Sequence, residues 1–448
     1  MRRRPKILLG LYEVAGYLHN LHSGFVELGT ECTIVELCKH RYRYARTEGT
    51  TDRITQVIER LAQSINRIRA GGLTGRYVAR VFQAPLLALL FIWSLVRYDV
   101  FILTGSSSFC GYLELPLYRL FRKKLIYVFL GSDSRPPYLN GIFFAVERRP
   151  DIRTCVLRTS QRKRLIARID RWAYAVVNII PQALFHTRPV ISSLALGLPF
   201  SIRRSGAPKK EICRDRSLVR VLHAPSNLEA KGTRIIRAVV SELKAKGLPI
   251  DYVELVERPH DEVLDELEAC DFIIDELYSD TPLACFSTEA AFFAKPAVIG
   301  SYYAEQLKHD IPAEFIPPSL MCHPDSLASA VEHLVTDKAF REELGARAQR
   351  FVKERWNARV VAERFMRVIE GDVPREWTFD PVGIRYACGA GLSLSKVRET
   401  VQTIVRMYGK GALQLSDKPV LESILLDMAF GGPLVDTQAV EKQEKRAV

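Results

Sequence analysis

Residues 271–300, DFIIDELYSDTPLACFSTEAAFFAKPAVIG, decide the fold class. The apolar triplet Phe272-Ile273-Ile274 reads as a buried parallel strand. A polar loop follows over 276–281, then a block rich in Ala and Phe over 285–294 that reads as a helix. Lys295-Pro296 stops it, because proline cannot continue a helix. Ala297-Val298-Ile299 is a second buried strand, ending at Gly300. In open α/β sheets, ligands sit beyond the carboxyl ends of such strands, against helix N-termini. That rule places Ser287, Thr288 and Glu289, early in the helix, where they face a ligand.

The same alternation runs outward in both directions. Toward the N-terminus, a strand at 6–11 leads through a loop with Gly16 to a helix at 19–28, a stop at Gly29 and a strand at 32–37. No G-x-G-x-x-G accompanies this unit, so a dinucleotide is not supported. Gly16 permits close approach of a substrate to the backbone; an ordinary turn fits equally. Strands at 98–103, 123–129 and 176–180 continue the pattern. The second of these ends in FLGSDSRP (129–136), placing Asp133 and Arg135 at the carboxyl edge of a sheet. A turn aspartate bonding its own backbone competes for that reading of Asp133. After a charged Gly- and Pro-containing stretch, strands at 219–222 and 250–256 alternate with helices at 234–245 and 260–269. Helices over 325–369 close the series.

This order implies an α/β protein with two Rossmann-like doubly wound domains facing a cleft, plus a helical C-terminal extension. The expected boundaries are 1–205, a linker at 206–217, 218–372, an extension at 373–431 with amphipathic helices near 394–408 and 418–428, and a polar, disordered tail at 432–448. Residues 377–381 read as irregular.

Composition narrows the classes. With 448 residues, 48% of them hydrophobic, two sizeable cores are expected. The nine cysteines contain no C-x-x-C, which excludes a zinc-ribbon pattern and fits free thiols in a reducing compartment. The opening MRRRPKILLGLYE has too short an apolar run for a signal peptide and reads as a first strand. The net charge of +13 is uneven: residues 1–205 hold 32 Lys/Arg against 13 Asp/Glu, and the remainder 32 against 38. A basic first half attracts phosphates, whether of nucleic acid, lipid headgroups or a pyrophosphate-linked acceptor. Part of that charge is Arg60, Arg67, Arg69, Arg76 and Arg80, a pattern that a solvated helix face also explains. Between Arg80 and Arg97 no charge occurs. APLLALLFIWSLV (84–96) is too short to span a bilayer, and it fits a core helix or one resting on a membrane.

Three segments together resemble a known family: HAPSN…KGT at 223–233, STEAAFFAKPAVIG at 287–300 and FLGSDSRP at 129–136. They are similar to retaining, nucleotide-sugar-dependent glycosyltransferases of the two-domain B fold. The narrower likeness is to the group-one-like enzymes that build bacterial surface glycans. The resemblance spans about residues 5–370. It implies that the second domain holds the donor, with Lys231 at the diphosphate beside His223 and Ser226. Ser226 stands where the family often has an arginine, a contact that Arg234 is placed to replace. Glu289 matches the carboxylate that binds the ribose hydroxyls, and the backbone amides of Ser287 and Thr288 are expected at the donor. The family's other glutamate falls at Thr281, with Asp280 its acidic neighbour.

In the first domain, Leu130 stands where relatives have a histidine. The donor's own phosphate then serves as base, and Asp133 and His19 remain as catalytic candidates; His19 fits a helix face equally well. Gly16 and Arg135 are expected on the acceptor side. The implied function is sugar transfer, with retention, to a glycan or lipid-linked anionic acceptor, without metal or other cofactor. The implied location is cytoplasmic, with the basic first domain touching the inner face of the membrane. The alternative is a catalytically impaired protein of the same fold that scaffolds glycan assembly, with the C-terminal extension as its interaction module. Nucleic-acid binding ranks last, since no recognition motif accompanies the basic half.

Overall fold

The computed structural model describes residues 4–38, 72–105, 107–146, 150–202 and 212–431. Arg60, Arg67, Arg69, the first part of the expected linker (206–211) and the expected tail (432–448) lie outside the described residues, as do the side chains of Arg76 and Arg80.

The strands are β1 (Ile7–Tyr12), β2 (Cys32–Cys38), β3 (Val100–Thr104), β4 (Lys124–Val128), β5 (Ala175–Asn178), β6 (Val190–Ser192), β7 (Val219–His223), β8 (Ile250–Glu254), β9 (Phe272–Ile274), β10 (Ala297–Gly300), β11 (Leu320–Cys322) and β12 (Thr378–Phe379). The helices of the first half are α1 (Tyr17–Glu27), α2 (Gly72–Arg97), α3 (Leu115–Leu120), α4 (Gly141–Val146), α5 (Ile152–Trp172) and α6 (Ser193–Leu196). Those of the second half are α7 (Thr233–Ala245), α8 (His260–Ala269), α9 (Cys285–Phe292), α10 (Ala304–Asp310), α11 (Leu327–Thr336), α12 (Lys338–Arg355) and α13 (Ala358–Glu370). The extension adds α14 (Leu394–Tyr408) and α15 (Pro419–Phe430).

Two sheets form, in the orders β12-β6-β5-β4-β3-β1-β2 and β11-β10-β9-β7-β8. All pairings are parallel except β12 with β6. Each sheet reverses its direction of growth once, between β1 and β3 and between β7 and β9. Those are the points where an open sheet leaves a crevice at its carboxyl edge. The strands read as unbroken apolar runs because both faces are covered. In β1, Ile7 and Leu9 enter one apolar cluster while Leu8 and Leu11 enter another on the opposite face. The first of these clusters continues from Ile102 and Ile126 of the first sheet to Leu222 and Ile273 of the second, so one core serves both halves. The expected architecture, two Rossmann-like units with a helical C-terminus, is what the chain builds.

The end of the chain departs from expectation. It returns to the first unit from Ala358 onward, before the boundary expected at 372: α13 lies along α1, and a backbone bridge joins Phe200 to Asn357. Residues 377–381, read as irregular, hold the buried Trp377 and the short strand β12, which pairs antiparallel with β6 and closes that sheet edge. Isolated hydrophobicity is too weak a signal for a two-residue strand. Further on, Tyr138 donates to the Leu413 carbonyl at 2.9 Å, and the buried Lys418 ammonium donates to the His186 carbonyl at 2.6 Å. Residues 390 and 391 tie both units. Gly141 donates its amide to Ala390 at 2.8 Å, and Gly391 donates to the Tyr278 carbonyl at 2.8 Å. Among the described residues no helix is long and apolar enough to cross a membrane.

The α1–α13 contact needs a residue without a side chain. A Cβ on Gly24 would stand 2.0 Å from the Ala358 carbonyl oxygen and 2.9 Å from Ala362 Cβ. Both obstacles belong to a packed helix, so relief requires moving the helix. Gly24→Ala is therefore expected to destabilise the protein by about 1–3 kcal/mol despite its gain in helix propensity, measured as a lower denaturant midpoint at constant m-value.

Candidate functional site

The loops after β7, β8 and β9 converge at the crevice of the second sheet around a cavity of about 420 Å³. Ser226 and Lys231 come from the first loop, Glu257 and Arg258 from the second, and Cys285 and Glu289 from α9. The first unit contributes Ala15 to the same cavity. Ala15 and Gly16 are consecutive left-handed residues, at φ 50° and 82°. The expectation for Gly16 thus shifts by one position: Gly16 turns the chain, and Ala15 meets the cavity.

Lys231 sits on a floor of acid. Its ammonium lies 2.9 Å from Asp275 and 2.9 Å from Glu276. Burial works against its charge, but the two carboxylates outweigh burial and hold the lysine above its ordinary value. Asp275 is 2% exposed as a side chain and is held below its usual range: Lys231 and the Ser287 hydroxyl overcome the burial cost. Gly232 makes this geometry possible. It adopts φ 71°, and a Cβ there would stand 2.7 Å from Leu277 Cβ. The Leu277 amide in turn donates to the Lys231 carbonyl at 3.1 Å.

Glu289 is brought to the cavity as expected. Its Oε1 faces His260 Nε2 at 2.7 Å, joining the starts of α8 and α9. The N-terminus of α9 opens on the same space, with Ala284, Cys285 and Phe286 lining it; the first amides of a helix have no intrahelical acceptor. Burial pushes the Cys285 thiol up to about 12, so it stays protonated.

The structure reassigns other expected residues. Ser287 is fully buried, with its hydroxyl donating to Asp275 at 2.8 Å, so its side chain supports Lys231 indirectly. Thr288 turns away: its amide and hydroxyl both donate to the Ala284 carbonyl, at 2.9 and 2.7 Å. His223 is buried with Nδ1 at 2.7 Å from the Ile274 carbonyl and Nε2 at 2.9 Å from the Thr233 hydroxyl, so it braces β7 against β9 and α7 rather than touching a ligand. Arg135, expected on the acceptor side, is buried and forms a two-pronged ion pair with Asp280 of the second unit, Nε to Oδ2 at 3.0 Å. Gln182 holds the other Asp280 oxygen at 3.2 Å. Asp280 is thus an inter-unit tie and not a free replacement for the glutamate absent at Thr281. Arg234 is exposed and does not line the cavity; Arg258 does.

His19, a catalytic candidate, is buried and ion-paired with Glu36. Glu13 accepts the amides of Leu18 and His19 at 3.4 and 3.2 Å, capping α1. Burial pushes the Glu13 carboxyl up against the pull of His19. Glu13, His19 and Glu36 are the described group that could hold a metal, with ligand atoms within 4.8 Å of one another. Asp133, the other candidate, sits partly buried where β3 and β4 end. Its Oδ2 occupies the place a Cβ on Gly105 would take, 2.1 Å away. Burial pushes its carboxyl up, opposed by its own backbone amide and Arg162. It does not line the cavity.

Sequence reasoning missed His260, Glu257, Arg258, Asp275 and Ala15 as site residues. For Glu257 and Arg258 the signal was the 255–259 loop, which follows a strand beside the crevice; Ala15 and Asp275 follow β1 and β9 in the same way, and His260 opens the helix after that loop.

No family model matches the chain, and no curated protein matches it. Among solved structures, the glycotransferase of kitacinnamycin is 15% identical over 84% of this chain and 100% of its own, with a TM-score of 0.41. Anabaena HepE, in complex with UDP and glucose, is 13% identical over 82% of this chain and 100% of its own, at 0.47. S. aureus MnaA with UDP is 10% identical over 82% and 98%, at 0.42. Likenesses of this strength carry no inference about activity.

Two outcomes follow from the site. Lys231→Ala leaves Asp275 buried without its cation and is expected to cost about 3–5 kcal/mol of stability, read by chemical denaturation. His223, held below its ordinary value of 6.5 by burial, stays neutral in the fold. As pH falls through 6.5, the unfolded chain takes up a proton that the folded chain refuses, so stability is lost toward acid pH. His223→Gln is expected to flatten that part of the stability–pH curve, measured by thermal melts from pH 7.5 to 5.

Proposed function

We propose that the protein is a glycosyltransferase whose second unit holds a nucleoside-diphosphate sugar and whose first unit presents a glycan or lipid-linked acceptor. The observation that carries this reading is the cavity at the crevice of the second sheet, where a buried carboxylate, a helix N-terminus and an exposed arginine converge. Its volume suits a nucleotide-sized ligand. In this reading Glu289 accepts hydrogen bonds from the ribose diol, held in place by His260. The start of α9 and Arg258 meet the diphosphate. Lys231, held in place by Asp275 and Glu276, lines the same cavity and offers an ammonium N–H to the leaving diphosphate. These groups do the electrostatic work without requiring a metal ion.

The acceptor side is the loop at Ala15–Gly16, which reaches the cavity from across the cleft. Transfer proceeds with retention, the donor phosphate taking the acceptor proton, with Asp133 an acid at the strand ends of the first unit. The protein works in the cytoplasm at the inner membrane face. The scaffold reading predicts the same donor binding without turnover.

Calorimetric titration with UDP-, GDP- and ADP-sugars tests the donor site. One of them is expected to bind, raising stability by about 2.7 kcal/mol at a hundredfold excess over Kd. Glu289→Gln is expected to weaken that binding about tenfold with little change in melting temperature. Release of free sugar from the bound donor separates turnover from scaffolding. Failure of all three donors to stabilise the fold would sink the reading.

A further inference from the structure

The first unit has a helical layer whose outer side is not that of an ordinary solvated surface. On α2, Leu90, Phe91, Ser94 and Leu95 turn inward and are buried. The positions opposite them, Pro85, Leu89, Ile92 and Val96, follow helical spacing and form an outward stripe with no polar member. Leu89, Ile92 and Val96 are 64, 58 and 83% exposed. The neighbouring α3 repeats the arrangement: Leu115 and Tyr118 are buried, while Leu113, Leu120 and Phe121 stand in solvent. Phe91 of α2 meets Tyr118 of α3 at 5.3 Å between ring centroids, edge to face, so the two helices adjoin. Both send their inner residues into the same apolar cluster, so their outer stripes leave the same face of the unit. Scattered exposed leucines need no explanation, but contiguous stripes on adjacent helices do.

Beside them lies charge of one sign. Arg119 and Arg122 flank Leu120 and Phe121 and are exposed. On α5, which packs against α3, the outward positions Arg164, Arg168 and Arg171 follow the same helical spacing. Among the described residues none of these five arginines forms an ion pair with a carboxylate. The first 205 residues carry 32 basic against 13 acidic side chains, so the surrounding field has the same sign. A second copy of the chain would meet this positive face with another positive face. A layer that joins apolar stripes to arginines without carboxylate partners among the described residues fits a surface that is apolar within and anionic at its rim.

We propose that the outer face of α2 and α3, with the arginines of α3 and α5, is a docking surface for an anionic lipid bilayer. The helices lie in the plane of the interface: Leu89, Ile92, Val96, Leu120 and Phe121 enter the acyl boundary, and the arginines rest on headgroup phosphates. A contact made by apolar side chains at the acyl boundary and arginines on phosphates is reversible and salt-dependent. This inference deepens the membrane-face location given under the proposed function and rests on that part of it, but it stands on a different surface from the donor cavity, so donor binding and vesicle binding can fail separately.

Co-sedimentation of the full chain with vesicles tests it. Binding is expected on phosphatidylglycerol–phosphatidylcholine vesicles, about tenfold or more weaker on phosphatidylcholine alone, and reduced by salt. Trp93, half-buried on α2, is expected to shift to the blue on binding. Leu89→Glu/Ile92→Glu/Val96→Glu is expected to lower vesicle binding about tenfold or more at unchanged melting temperature. Arg164→Glu/Arg168→Glu, which leaves the apolar stripe intact, is expected to abolish the preference for anionic lipid. The proposal is overturned if anionic vesicles do not bind, or if both variants bind as the parent does. It is equally overturned if Ile92→Glu dissolves a dimer in sedimentation equilibrium while the parent ignores vesicles, which would make the face an interface between copies.

Discussion

A single carboxylate, Asp280, is gripped from across the cleft by Arg135 and Gln182. All three side chains are buried. Removing two opposite charges from water is costly, and good geometry with additional hydrogen bonds is what offsets it. Here the fork of the guanidinium and the amide of Gln182 together occupy both carboxylate oxygens. The tie holds the carboxyl edges of two sheets toward each other, so that a loop from the first, at Ala15, can line a cavity built by the second. The backbone clasp at residues 390 and 391 holds the same two edges from outside, through Gly141 and Tyr278. The position of the cavity depends on both.

This arrangement sorts charged residues by whether structure has already engaged them. Arg135 joins the units, His19 pairs with Glu36, and Lys231 rests between two acids. Charge alone would have made each a candidate for binding substrate. Of the groups lining the cavity, Lys231 is already held by acids and Glu289 by His260, while Arg258 and the first turn of α9 are the positive elements left facing it. A ligand with a diol at one end and a diphosphate at the other meets complementary chemistry in that order.

Much of the fold was legible because both faces of each parallel strand are covered, which turns the strands into unbroken apolar runs such as Phe272–Ile274 and Val100–Thr104. Helix ends were legible where glycine or proline stopped them, as at Gly29 and Pro296. The amphipathic α14 could be read from its pattern, since its partner is the body of the protein. What could not be read is pairing between distant residues. Arg135 and Asp280 are 145 positions apart, and His260 and Glu289 are 29 apart. A local pattern says that each side chain is polar but not which partner will claim it. Glu289 was found because its position at the start of a helix after a crevice strand is itself local. Thr288, one residue earlier, was misjudged because the 100° turn of the helix directs it back to Ala284. The return of the chain through β12 to β6 was hidden for a similar reason, since two residues carry no period.

The apolar cluster that begins in β1 and continues into β9 has a thermodynamic meaning. Two-unit chains commonly unfold in two steps, because each unit keeps a private core and the boundary between them is thin. Here each unit keeps a cluster of its own, but a third cluster is shared and would be exposed by opening either unit, and the last helices of the chain belong to the stability of the first. Free energy lost anywhere along that cluster is lost to both halves at once. The cleft divides the molecule in space, yet the shared cluster couples the two units across it.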